Sequence, residues 1–343
     1  MRSLNLDWLN QFIPADIADF SLTPMEHYGL QGSLSFLDLE FAGPSDLPGR
    51  WVVKRAGGGE LEVFSHALGC FEREVEAYKR GQEYMGVPML MCLHADYDSV
   101  TRDMIIVLED ISHLRDTRRH HTETMRIDDA VRRAETYAAL HAPRWNDPSL
   151  AREDWLFDLR SVENKGFEML ITDIPTMVQT AIVRHERLLN DYLLTLFEHL
   201  LDYDRLKERL PLTPATLIHG DANGGNSVFR GDELILMDWA LAAHGAPGTD
   251  LAWILHHETD GATAAIDATV NSYRAAMKRY NVPMTHREVI DLLRHGAVIN
   301  LIAEIERWLR SDDIPTEAEP RARANLNQRA LNYRHIGLEK LLA

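Results

Sequence analysis

The chain has 343 residues, long enough for two domains, with 45% hydrophobic and 26% charged residues, the balance of an ordinary soluble globular protein. Its formal net charge of −17 argues against nucleic acid as a partner, because a phosphate-binding surface would be basic. Cys70 and Cys92 have neither metal-ligand spacing nor a disulfide framework, and neither an apolar signal core nor a membrane-length apolar run is evident. A cytoplasmic protein with no membrane partner is expected.

Residues 1–20 are mildly amphipathic through Leu4, Leu6, Trp8, Leu9, Phe12 and Ile13, which predicts a short docking helix, with strands beginning near Pro24. Gly29-Leu30-Gln31-Gly32-Ser33 reads as a glycine-containing turn. Glycine there lets backbone N–H groups approach a phosphate closely, although a plain hairpin turn has the same composition. Leu37, Leu39 and Phe41 alternate with Asp38 and Glu40, the pattern of a half-buried strand. Trp51-Val52-Val53-Lys54-Arg55 is a strand with Lys54 inside it; that lysine is either the exposed side of the alternation or a partner for nucleotide phosphates. Gly57-Gly58-Gly59 is read as a flexible turn, since no P-loop pattern follows it.

Leu68, Phe71, Val75 and Tyr78 recur at helical spacing over 65–80, with Glu72, Glu74 and Glu76 on the same helix. Met89 to His94 and Met104 to Leu108 read as strands around an Asp96-Tyr97-Asp98 turn. The Arg- and His-rich run 115–121 reads as a solvated loop, because adjacent histidines do not share a helix face to bind a metal. Helices are expected over 128–141, within 153–210, and over 263–280, 286–310 and 322–342, with Thr285 and Glu288 as a capping box.

The stretch around which the chain is organised is 217–252. Leu217-Ile218 leads into His219-Gly220-Asp221, Asn226 follows, and the apolar run Leu234 to Met237 ends on Asp238. Two carboxylates and an amide at that spacing suit phosphoryl transfer. One carboxylate accepts the proton of an attacking hydroxyl, and an amide oxygen and a second carboxylate hold Mg²⁺. Asp221 suits the first role, Asn226 and Asp238 the second, and Gly224 and Gly225 let the loop bend. The plainer reading is a polar hairpin between core strands.

His219-Gly220-Asp221, four residues, Asn226 and then Asp238-Trp239 resembles the catalytic segment of the aminoglycoside phosphotransferase and choline kinase superfamily. It departs from the His-Arg-Asp and Asp-Phe-Gly pattern of protein kinases. Leu108-Glu109-Asp110 and Leu140-His141-Ala142-Pro143-Arg144-Trp145 are similar to the ecdysteroid kinase-like subgroup. The resemblance implies a bilobal, protein-kinase-like α+β fold. A small antiparallel-sheet nucleotide lobe would span 1–110, and a large helical catalytic and substrate-binding lobe 111–343.

It also implies ATP or GTP with Mg²⁺ as cofactors and a small-molecule hydroxyl as acceptor. Gly29, Gly32 and Ser33 would cover phosphates. Lys54, oriented by Glu74, would contact them. The Glu109 carbonyl and Ile111 N–H would meet the base. Asn226 and Asp238 would carry the metal, and Asp221 would be the catalytic base. His219 would brace the loop and Asp250 would hold it by hydrogen bonds. A silent kinase-like nucleotide-binding scaffold is the main alternative; a hydrolase using Asp221 and His219 is a weaker one, as no Gly-x-Ser-x-Gly elbow is present.

Overall fold

The computed structural model describes residues 4–25, 32–57, 62–114, 125–158, 174–202, 214–256, 263–310 and 318–342. Gly29, Gly58, Gly59 and the run 115–121 lie outside them. The chain divides into two compact units, Met1–Asp116 with Val228–Ala242, and Thr117–Ser227 with Ala243–Ala343.

In the first unit five antiparallel strands, β1 (Ile17–Pro24), β2 (Gly32–Phe41), β3 (Arg50–Ala56), β4 (Cys92–Asp98) and β5 (Asp103–Glu109), are ordered β1-β2-β3-β5-β4. The period of two sends Leu37, Leu39, Trp51, Val53, Ile105 and Val107 into one core. Leu9, Ile13 and Ile17 join it from the N-terminal segment. The helix Cys70–Met85 lies against β4 and β5. The short hairpin of β8 (Ser227–Arg230) and β9 (Glu233–Leu236) is tied in by Leu236 N–H donating to Pro88 O at 3.0 Å.

Three local expectations are corrected here. The expected short N-terminal helix is one turn, Leu6–Leu9, capped by the Asn5 side chain, but the first strand, expected to begin near Pro24, runs from Ile17 and ends there. β1 is exposed along most of its length, so it carries little hydrophobic alternation to be read. The strand expected at Met89 starts at Cys92, and Asp96-Tyr97-Asp98 belongs to it. The actual turn follows, where the Asp98 carboxylate accepts the N–H groups of Val100 and Thr101. The helix expected over 65–80 is two, Glu62–Ala67 and Cys70–Met85, separated at Gly69 with its positive φ of 67°.

The second unit is mainly helical: Ile127–His141, Ile174–His185, Asp191–Leu200, Ala264–Arg279, His286–Arg310 and Glu319–Ile336 are its longest helices. The capping box forms as its residue types dictate, with Thr285 N–H on Glu288 Oε2 at 2.6 Å and Glu288 N–H on Thr285 Oγ1 at 3.2 Å. A small sheet, β6 (Phe157–Asp158), β10 (Ala243–Gly245) and β7 (Thr216–Ile218), is ordered β6-β10-β7. β7 therefore pairs with β10, not with the strand that ends before Asp238. No helix among the described residues is long and apolar enough to cross a membrane.

Candidate active site

Within the first unit Lys54, Glu74 and Asp238 come together. The alternation of β3 buries Val53 in the core and turns Lys54 to the opposite face. There its Nζ donates to Glu74 Oε1 at 2.8 Å and to Asp238 Oδ1 at 3.1 Å. Glu74 is buried on the helix Cys70–Met85, whereas the Asp238 side chain stays 39% exposed. Asp238 sits just past β9 in a left-handed conformation, φ 61° and ψ 68°, and directly precedes a single turn, Trp239–Leu241, without a side-chain capping hydrogen bond to it. The buried Arg73 ties the helix to that turn, donating to Ala240 O at 2.6 Å and to Leu68 O at 2.9 Å.

Charge is crowded in this cluster. Burial alone would lower the Lys54 pKa, but Asp238 and Glu74 outweigh it and the net shift is upward. Burial raises the Glu74 carboxyl to about 7, with Lys54 pulling it down and Asp238 pushing it up. The folded state therefore holds a proton that the unfolded state releases nearer pH 4.5. That contribution to stability is fully present below the unfolded pKa and lost as pH rises through 7. Glu74→Gln cannot ionise and should lack the dependence. The stability of the natural protein relative to Glu74→Gln is expected to fall between about pH 5 and about pH 8, by roughly 3 kcal/mol at most. Denaturant unfolding at both values measures it, and a difference that does not change with pH would refute it.

Gly32 and Ser33 open β2. A Cβ on Gly32 would overlap the Arg55 carbonyl oxygen across the sheet, so close strand packing alone demands glycine there. At the end of β5 the Glu109 carboxylate accepts Met91 N–H at 2.8 Å and Arg230 Nη2 at 2.6 Å. Among the described residues the Ile111 N–H has no hydrogen-bond acceptor.

Within the second unit Asp221 and Asn226 come together on the loop after β7. Both Asp221 oxygens accept amide donors, Oδ1 from Asn223 Nδ2 at 2.7 Å and Oδ2 from Asn226 Nδ2 at 2.8 Å. The buried His219 ring accepts the Asp221 N–H through Nδ1 at 3.3 Å. The loop's start is anchored by buried Asp250, which takes His219 N–H at 2.7 Å and Gly220 N–H at 2.9 Å. Asn226 commits its Nδ2 to Asp221, so its amide oxygen turns away. That oxygen and the Asp238 carboxylate are hard donors of the kind magnesium takes. No group of three or more His, Cys, Asp or Glu that could hold a metal occurs among the described residues.

Sequence reasoning missed Arg73, Asn223, His141 and Tyr273. Asn223 carried a signal, since an Asn two residues before Gly225 is a side-chain turn, here with Oδ1 accepting Gly225 N–H at 2.8 Å. His141 links Asp250 to Tyr273, with Nε2 at 3.1 Å from Asp250 Oδ2 and Nδ1 at 2.9 Å from the Tyr273 hydroxyl. The carboxylate can only accept, so Nε2 carries the proton and Nδ1 accepts from tyrosine.

Residues 94–282, more than half of the chain, match the profile of the phosphotransferase enzyme family, APH. No curated relative matches the chain by sequence. A GDP and kanamycin complex of APH(2")-IIia is similar in structure with a TM-score of 0.55 at 12% identity, over 95% of this chain and 98% of the other. An aminoglycoside phosphotransferase from Alicyclobacillus acidocaldarius gives 0.55 at 13% identity, over 99% and 96%. Choline kinase from Cryptosporidium parvum Iowa II gives 0.54 at 13% identity, over 97% and 96%. At such identities the likeness is one of fold, a kinase-like pairing of a small antiparallel-sheet lobe with a large helical lobe. Its matched segment places the chain in the phosphotransferase enzyme family.

Proposed function

We propose that the protein transfers the γ-phosphate of ATP, or of GTP, to a hydroxyl of a small molecule. The observation that carries this reading is the Lys54–Glu74–Asp238 cluster, a part-buried, oriented ammonium beside a part-exposed carboxylate. Lys54 contacts the nucleotide phosphates and Glu74 fixes its direction. The N–H groups near Gly29, Gly32 and Ser33 cover the phosphates, and the Glu109 carbonyl and Ile111 N–H meet the base. Asn226 and Asp238 hold Mg²⁺, which when bound neutralises phosphate charge. Asp221 accepts the hydroxyl proton and aims the oxygen. Positioning and electrostatics supply the acceleration. Residues 1–110 would form the nucleotide-binding lobe and 111–343 the catalytic and acceptor-binding lobe, in a cytoplasmic protein.

The acceptor class is tested by ADP release from Mg-ATP against pooled amino sugars, neutral sugars, choline-like amines, macrolides and steroid alcohols. Stimulation by one pool is expected, and Lys54→Met should raise the nucleotide KM by about tenfold or more while leaving the fold intact. Nucleotide binding with no stimulation by any hydroxyl compound would favour a binding scaffold. Nucleotide kinetics unchanged in Lys54→Met would overturn the lysine's role.

A further inference from the structure

The helix Ile127–His141 presents Arg133, Tyr137 and His141 at a spacing of four residues, one row along its length. Arg133 and Tyr137 meet the loop that carries Asp221 directly, and His141 reaches it through Asp250. Arg133 Nη1 donates to Ser227 Oγ at 2.6 Å, at the loop's end. The Tyr137 hydroxyl donates to Ala222 O at 3.3 Å, one residue past Asp221. His141 Nε2 donates to Asp250, which receives the N–H groups of His219 and Gly220 at the loop's start. The row is internally braced: the Tyr137 and His141 rings stack with centroids 6.1 Å apart, and Arg133 hydrogen-bonds the Tyr137 hydroxyl. Tyr273 completes it from the helix Ala264–Arg279 through its hydrogen bond to His141 Nδ1.

Packing alone does not call for this row. The other buried positions of the helix are Ala130, Ala134, Ala138 and Leu140. Apolar residues at 137 and 141 would bury surface without the desolvation cost of a hydroxyl and an imidazole. Tyr137 and His141 are buried and Arg133 is part-buried, and hydrogen bonds from all three specify one arrangement of what the row holds. Here it holds the middle and end of a single loop directly and its start through Asp250, with Asp221 and Asn226 between the anchors.

We infer that Arg133, Tyr137 and His141 are positioning residues, and that this helix is the template on which the loop His219–Ser227 is held for transfer. The kinetic side of the inference rests on the phosphotransferase reading; the structural side does not.

The test combines hydrogen exchange of the loop's amides with steady-state kinetics in the full-length chain. Tyr137→Phe removes one hydroxyl, His141→Leu removes both hydrogen bonds of the ring, and His141→Gln keeps a donor and an acceptor. Tyr137→Phe and His141→Leu should speed exchange at 219–222 by about tenfold or more while helix amides elsewhere in the unit keep their protection. They should lower kcat by roughly tenfold or more with the nucleotide KM within about twofold, and His141→Gln should recover most of the loss. If His141→Leu does not fold, Tyr137→Phe carries the test. Unchanged loop exchange in folded Tyr137→Phe, or loosening spread evenly over the unit, would overturn the inference. A natural protein that transfers no phosphate would defeat the phosphotransferase reading instead, and the exchange data would still decide whether the row holds the loop.

Discussion

Replacing Asp221 by asparagine is expected to lower transfer by about 10²- to 10⁴-fold, the range for removing a positioned general base, while the protein stays folded and still binds nucleotide. Both oxygens of Asp221 accept hydrogen bonds, from Asn223 and from Asn226. An asparagine keeps the shape and one acceptor but turns its own NH2 toward one of those donors, so a single hydrogen bond is lost. At a half-buried position that costs about 1 kcal/mol of stability. The loop's anchors on Asp250 use backbone N–H groups and are untouched by the exchange. What disappears is the proton acceptor. In rate terms the loss corresponds to roughly 3–5 kcal/mol of activation free energy, well beyond any change in stability. Single-turnover transfer at saturating Mg-ATP, alongside a thermal melt and a nucleotide-binding isotherm, separates the two effects. Turnover within about tenfold of the natural protein would sink the assignment of Asp221 as base.

How much of this was readable depends on the range over which each signal acts. A period of two fixes which face Lys54 takes, but spacing leaves Glu72, Glu74 and Glu76 open as its partner, and it is the family resemblance that singles out Glu74, the carboxylate Lys54 Nζ meets at 2.8 Å. The Thr285–Glu288 box is local and is legible for that reason. β1 is an exposed edge strand whose only buried residue is Ile17, so its membership of the sheet comes from pairing with β2, which single-strand periodicity does not encode. The grouping of Val228–Ala242 with the first unit is another long-range fact. It follows from backbone contacts such as Leu236 to Pro88 and from the Arg230–Glu109 pair, none of which leaves a mark on side-chain spacing. His141 enters the sequence reading only as part of the Leu140–Trp145 resemblance, with no role of its own, because that role depends on Asp250 and Tyr273, both more than 100 residues away.

Gly296→Ala is expected to destabilise the protein by about 3 kcal/mol, against the sign that helix propensity gives. Gly296 lies inside the helix His286–Arg310, where alanine is normally favoured by about 1 kcal/mol. Here a Cβ would overlap the carbonyl oxygen of Gly248, and a Cβ on Gly248 would overlap that of Leu292. Leu292, Gly296 and Asn300 form one row of the helix, with Asn300 Nδ2 donating to Thr249 O at 3.4 Å. This row seats the short helix Gly248–Leu251, every residue of which is buried. The obstructing atoms are backbone on both sides, so no side chain can rotate to make room. Relief requires the two helices to part. Asp250 moves with that short helix, and with it the acceptor for His219 and Gly220 N–H. A loss of about 3 kcal/mol lowers Tm by roughly 6–12 °C for a unit of this size. The same displacement should reduce kcat more than the nucleotide KM, because the loop bearing Asp221 loses its anchor. A melt and steady-state kinetics on Gly296→Ala check both parts. A variant as stable as the natural protein or more so would mean that propensity outweighs the close approach, and that the contact between these helices does not set the position of Asp250.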